Sequence, residues 1–199
     1  RTKVLSFDEI RVQDVAEKQK VGWDRKEGFL GLNVKSGSTS FYCSAYDKIV
    51  VIRKDGSYQV IRVPEKQFVG KDAISVEKLN QKTVHNVIYW EGASKVCYAK
   101  RFRVEKFILD REYNLFPKKK GAKILHLSQG EGIRLEVSFV PTPRIRKSSD
   151  TYNLDDLGIK GIQARGNKVS SKSVQNVKVT ASEPEEEGWP SSSEESENL

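Results

Sequence analysis

The chain has no methionine, and its 199 residues hold only two histidines, two cysteines and three tryptophans. It begins at Arg1, so it is expected to be a piece of a longer protein. His85 and His126 each lie in an alternating apolar pattern, away from any Ser or Cys in a recognisable nucleophile elbow. A catalytic triad is therefore excluded, and no catalytic residue is assigned. Cys43 and Cys97 sit inside strand patterns, with no C-x-x-C spacing and no secretory leader. They are expected to be buried free thiols in a reducing cytoplasm, neither disulfide nor zinc ligand. No phosphate-binding glycine loop or zinc-ligand spacing occurs, so no cofactor and no metal is expected. No apolar run approaches membrane-spanning length, and a membrane partner is not expected. Helical periodicity is scarce.

What the chain does have is short runs rich in Val, Ile, Tyr and Phe, broken by glycine-bearing turns. Five turns stand out: Arg25-Lys26-Glu27-Gly28, Lys54-Asp55-Gly56, Trp90-Glu91-Gly92, Gln129-Gly130-Glu131-Gly132 and Ala164-Arg165-Gly166-Asn167. Each reads as a β-hairpin tip. Residues 48–53 and 57–63 flank Asp55-Gly56, where Asp-Gly favours a type I′ turn. Residues 84–90 and 95–104, 123–128 and 132–140, and 158–164 and 174–179 read as the later pairs. A repeat of roughly 40 residues built from strands points to an all-β, propeller-like architecture of about four four-stranded blades. Residues 141–157, with two prolines, read as an inter-blade loop in which Asp155-Asp156 begins one helical turn.

Charge supplies the functional signal. The net charge of +8 conceals a polarity. Residues 181–199 carry seven acidic groups (Glu183, Glu185, Glu186, Glu187, Glu194, Glu195, Glu197) and no basic one, leaving a body of net +15. Residues 1–180 are expected to form the folded, polyanion-binding domain, and 181–199 a disordered acidic tail with a lone Trp189. Cations cluster beside glycines, which suits phosphate contact, because lysine supplies charge and glycine lets backbone N–H groups approach an oxygen. The candidate DNA-binding residues are Arg25, Lys26, Lys54, Lys66, Lys71, Lys100, Arg101, Arg103, Lys118, Lys119, Lys120, Lys123, Arg165, Lys168 and Lys172. No base-reading helix is evident, so the expected contact is with a nucleic-acid phosphate backbone, without sequence preference.

Two other readings stay open. One is a propeller-type protein-interaction module with a non-specific basic surface. The other is a single-strand or RNA binder that stacks bases on Phe68, Tyr89, Trp90, Tyr98, Phe102 and Phe107. The placement of Tyr98 and Phe102 on one face of a strand favours a core role for these rings.

Several segments together resemble a known family. Arg25-Lys26-Glu27-Gly28-Phe29-Leu30-Gly31, Ile52-Arg53-Lys54-Asp55-Gly56, Phe68-Val69-Gly70-Lys71-Asp72, Tyr98-Ala99-Lys100-Arg101-Phe102 and Ile159-Lys160-Gly161 look like the C-terminal domain of the A subunit of the bacterial type IIA topoisomerases, gyrase and topoisomerase IV, in its topoisomerase IV-like form. The resemblance spans roughly 1–180. It implies a β-pinwheel whose basic rim bends duplex DNA and presents it to a separate cleavage core. It also implies that the cleavage tyrosine and the ATPase belong to other parts of the enzyme, and that the chain is cytoplasmic and nucleoid-associated. The family's blade loops map onto Lys66 to Lys71, Lys118 to Lys123 and Arg165 to Lys172. The glutamine–arginine–arginine–glycine-rich box of gyrase is absent, its nearest counterparts being Gln19-Lys20-Val21-Gly22 and Lys118-Lys119-Lys120-Gly121.

Overall fold

The computed structural model describes residues 17–35, 39–117, 121–141, 148–170, 172 and 174–181. The acidic tail, Trp189 and Lys118–Lys120 lie outside them. The described residues form four small sheets joined by one repeating rule.

Each unit starts with a hairpin: β1 (Gln19–Asp24) with β2 (Phe29–Gly31), β4 (Lys48–Arg53) with β5 (Ser57–Arg62), β8 (His85–Glu91) with β9 (Val96–Phe102), and β12 (Ile133–Phe139) with β13 (Ser149–Asn153). A later strand returns to the first strand of each hairpin: β3 (Thr39–Cys43), β7 (Ala73–Lys78), β11 (Lys123–Gln129) and β16 (Val174–Ala181). Between hairpin and returning strand, units two to four send a short latch back onto the preceding sheet. β6 (Gln67–Phe68) pairs with β2, β10 (Glu112–Asn114) with β5, and β14 (Ile159–Lys160) and β15 (Asn167–Ser170) both with β9. The sheets therefore hold four, four, five and three strands.

This interlock accounts for the apolar runs. In β4, Ile49 and Val51 face a cluster with Val21, Trp23 and Leu30 of the first sheet, while Val50 and Ile52 face one with Val87, Tyr89 and Phe102 of the third. A strand covered on both faces reads as a continuous apolar run rather than an alternating one. A third cluster, with Ile88, Ala99, Leu135 and Val137, joins the third and fourth sheets. Each such buried aliphatic side chain contributes about 1.5–3 kcal/mol.

Three expectations are corrected. Gln129–Gly132 and Ala164–Asn167 are not hairpin tips. β11 and β12 belong to different sheets, and residues 158–164 and 174–179 do not pair, because β14 and β15 each pair with β9 while β16 pairs with β12. The 141–157 segment contains β13, though a 3-10 turn at Leu154–Asp156 does follow, capped by the Asn153 side chain. At Lys54-Asp55-Gly56 only the glycine has positive φ (+88°), and its N–H donates to the Arg53 carbonyl at 3.0 Å. A type I′ turn needs positive φ at both central residues, so this is a three-residue loop closed by a bulge glycine.

Both cysteines are buried and free, and burial pushes their thiols up to about 11 at Cys43 and about 12 at Cys97. His85 is buried, stacks on Phe102 and holds Glu77 at 2.9 Å through Nε2.

Candidate nucleic-acid interface

The hairpin tips are built so that their cations stand clear. At the first tip the Asp24 carboxylate accepts the backbone N–H groups of Lys26 (3.0 Å) and Glu27 (3.1 Å), and the Gly28 N–H closes onto the Asp24 carbonyl at 2.8 Å. These bonds satisfy the turn backbone internally, which leaves Arg25 and Lys26 exposed. At the second tip the Asp55 carboxylate takes the Ser57 N–H at 2.9 Å, and Lys54 is exposed.

The tips are stitched to the next unit. The Lys54 N–H donates to the Asp72 carbonyl at 2.9 Å, and the Lys54 carbonyl accepts the Ile124 N–H at 2.8 Å. Lys71, at the junction of latch β6 and strand β7, thus comes beside the second tip. Arg25, Lys54 and Lys71 line one cleft of about 560 Å³, walled by the facing edges of β7 and β11. Lys71 touches Glu27 at 3.3 Å, but both side chains are more than half exposed and the pair holds little energy. His126, on the β11 wall, is half-buried, and burial pushes its imidazole below the usual value, so it adds no fixed charge at neutral pH.

The other candidate cations among the described residues fall in four groups. Lys66, Lys123, Lys168 and Lys172 are exposed, with Lys66 lying over the Phe29 ring at 4.8 Å and Lys172 over Phe139 at 4.8 Å. Arg165 is exposed but committed, because its guanidinium donates to both oxygens of buried Glu91 at 2.9 and 2.7 Å. Lys100 and Arg101 are corrections to the surface reading. Lys100 is 1% exposed, and its ammonium donates to the carbonyls of Leu115, Ile162 (2.6 Å) and Ala164 (2.9 Å). Burial, with Lys160 nearby, lowers its pKa to about 8. Arg101 is 6% exposed and reaches Asp155 at 3.3 Å. Both tie the third sheet to the segments crossing it. Arg103 is half-buried, with its Nε unpartnered.

Lys71 lies between latch β6 and strand β7, and Lys123 opens strand β11, which follows latch β10 in the same order. Lys95, absent from the candidate cations, is exposed at the third tip with φ +52°. Among the aromatics, Tyr89, Tyr98 and Phe102 are core, whereas Phe68 is 59% exposed. Gln19–Gly22 lies within β1, and a Cβ at Gly22 would meet the Val34 carbonyl oxygen at 2.0 Å, so this segment is packed strand and not an open loop. Among the described residues no group of three or more His, Cys, Asp or Glu gathers as a metal site, and no helix is long and apolar enough to cross a membrane.

Comparison with known proteins agrees with this architecture. A family described as "Topoisomerase C-terminal domain, Bacteroidota" matches residues 20–181. The A subunit of DNA topoisomerase 4 from Borreliella burgdorferi is 31% identical over 118 residues, 57% of this chain and 19% of that protein. The matched region is thus about a fifth of that relative's length. The crystal structure of the C-terminal domain of DNA topoisomerase IV matches with a TM-score of 0.51 at 9% identity, over 83% of this chain and 62% of that one, which establishes the β-pinwheel fold.

Proposed function

The chain belongs to the topoisomerase C-terminal domain family, and from that premise we propose that it binds duplex DNA through the phosphate backbone, without sequence preference, and bends it along its hairpin tips. As the accessory C-terminal domain of a topoisomerase A subunit, it lies apart from the catalytic core. Its partners are DNA, the ATPase subunit and the remainder of its own polypeptide, in the bacterial cytoplasm at the nucleoid. Residues 1–180 act as the DNA-binding unit.

The observation that supports this most is the convergence of Arg25, Lys54 and Lys71 on one cleft from two tips and a latch junction. Lys95 at the third tip and Lys123 at the start of β11 carry exposed cations in the next unit. Lysine and arginine on short turns meet phosphates as point charges and forks, which fixes position but reads no base. Lys26, Lys66, Lys123, Lys168 and Lys172 extend the path, with Lys118–Lys120 following the second latch in sequence.

The test is a salt titration on duplexes of unrelated sequence, paired with a topology assay on relaxed circular DNA and a nicking-closing enzyme. If about six phosphates are contacted, log affinity falls against log salt with a slope near −5, about 0.9 per contact, whatever the sequence. A zero slope, or preference for single strands, overturns the reading. An unchanged topoisomer distribution removes chiral wrapping, and circularly permuted duplexes whose complexes all migrate alike remove the bending.

A further inference from the structure

A second concavity shares no lining residue with the tip cleft and has different chemistry. A cleft of about 350 Å³ is lined by Arg103, Lys106, Ile159, Lys160 and Ile162, together with Glu105. It shares Lys106, Gly161 and Ile162 with an adjoining groove of about 550 Å³ floored by Tyr58, Phe107, Ile108 and Tyr113. One end is therefore cationic and the other apolar and aromatic.

Two orphaned groups mark the pair of cavities as built for an occupant. The Nε of Arg103 is buried without a hydrogen-bond partner, and so is the hydroxyl of Tyr58. A buried donor left unpaired costs about 1–3 kcal/mol, which a carboxylate would recover. Ile108 is 58% exposed and Ile159 45% exposed, and large aliphatics so open are a binding signature where they adjoin a groove. Lys160 also holds the Asn167 side chain, so Arg103 and Lys106 are the freer cations.

We propose that this groove is the docking site of the chain's own acidic tail, with Glu185–Glu187 over Arg103 and Lys106 and the Trp189 indole in the apolar end. Charge, reach and starting point all favour that occupant. The tail carries seven glutamates and no cation. It leaves β16 at Ala181, which pairs with Ile133. The neighbouring Gly132 N–H donates to Asp155, Asp155 meets Arg101 at 3.3 Å, and Arg101 is the ladder partner of Ile159 on the cleft wall. The eight residues from Ala181 to Trp189 extend to roughly 27 Å, enough to pass from that edge along the cleft. An indole N–H is the donor that the Tyr58 hydroxyl lacks. Tethering holds the tail at millimolar effective concentration, so a weak contact is occupied.

The inference does not rest on DNA binding, and its test contains no DNA. The full chain is labelled with 5-fluorotryptophan, and the Trp189 resonance is assigned through Trp189→Phe. Trp189 is expected to resonate away from its position in an isolated 182–199 peptide. Ile108→Asp, at an exposed position, and Arg103→Gln should each return it to the free-peptide position, with the Trp23 and Trp90 resonances unmoved as the folding control. A wild-type Trp189 signal at the free-peptide position overturns the proposal. So does a displaced signal that ignores Ile108→Asp. A displacement that fades on dilution assigns the groove to a second copy and overturns the intramolecular contact.

Discussion

The carbonyl of Lys54 accepts the backbone N–H of Ile124 at 2.8 Å, fixing the tip of the second hairpin against the edge of the third sheet. Because the bond uses the lysine's backbone, its side chain stays free for a ligand while its position is set by the fold. Preorganised cations lose less entropy on binding than cations on a loose loop.

Removing the convergent charges should therefore weaken DNA binding without unfolding the domain. Replacing Arg25, Lys54 and Lys71 together by alanine is expected to lower affinity at least about tenfold at low salt and to shrink the salt slope by up to about 2.7, or 0.9 per lost contact. The thermal midpoint should hardly move, because all three side chains are exposed. Fluorescence anisotropy across a salt series reads both quantities. An unchanged slope would place the DNA path elsewhere on the molecule.

The sequence carried the units but not all of their pairings. The β4–β5 hairpin was legible because Asp55-Gly56 sets it locally. The partner of β11 was not, because nothing near Gln129 says that β11 returns to β8 instead of pairing with β12. Latches as short as Gln67–Phe68 carry no periodicity to detect. Lys100 was a misread signal: it alternates with Tyr98 and Phe102, so strand parity alone put it on the core face. Its charge argued for the surface, but three backbone carbonyls waited inside. Lys95 escaped because the third tip lies at Gly92–Lys95, beyond the Trp90–Gly92 turn the residues suggested.

Lys100 gives a stability prediction. Lys100→Met is expected to lower unfolding free energy by about 3 kcal/mol, since it takes the donor from three carbonyls, the one of Leu115 buried and those of Ile162 and Ala164 partly buried. DNA affinity per folded molecule should not change. The pH dependence has a definite sign. The folded pKa of about 8 lies below the ordinary 10.5, so between those values the unfolded chain binds the proton that the folded chain has released. Stability from this group thus rises with pH across that window, and the gap between wild type and Lys100→Met should widen from pH 8 to pH 10. Urea melts of both proteins at several pH values check it. A gap that narrows would refute the assignment.

Gly56 and Phe116 define a second stability test. Gly56 has φ +88°, and a Cβ there would meet the Phe116 ring at 2.2 Å. Gly56→Val therefore meets two penalties, a disfavoured backbone and an overpacked aromatic, together about 3 kcal/mol. Trimming the ring should relieve only the second. Gly56→Ala paired with Phe116→Leu is expected to be less destabilised than the two single changes added together. Strict additivity in a double-mutant cycle would show that the ring is not the obstacle.

Arg165 and Glu91 separate structural from DNA-contacting charge. The Glu91 carboxylate is 1% exposed, and it accepts both Arg165 bonds and one from the Ser94 hydroxyl. Arg165→Ala leaves that buried carboxylate without its cation, the more costly way to break such a pair. The variant should melt measurably lower, and Glu91→Gln in the same background should restore part of the loss by removing the stranded charge. If Arg165 also meets phosphate, Arg165→Ala binds DNA more weakly and Arg165→Ala with Glu91→Gln remains weak. If its charge is committed to Glu91, DNA affinity recovers with the fold. Melting curves and anisotropy on the same two variants decide between a cation that holds the third sheet together and one that faces the duplex.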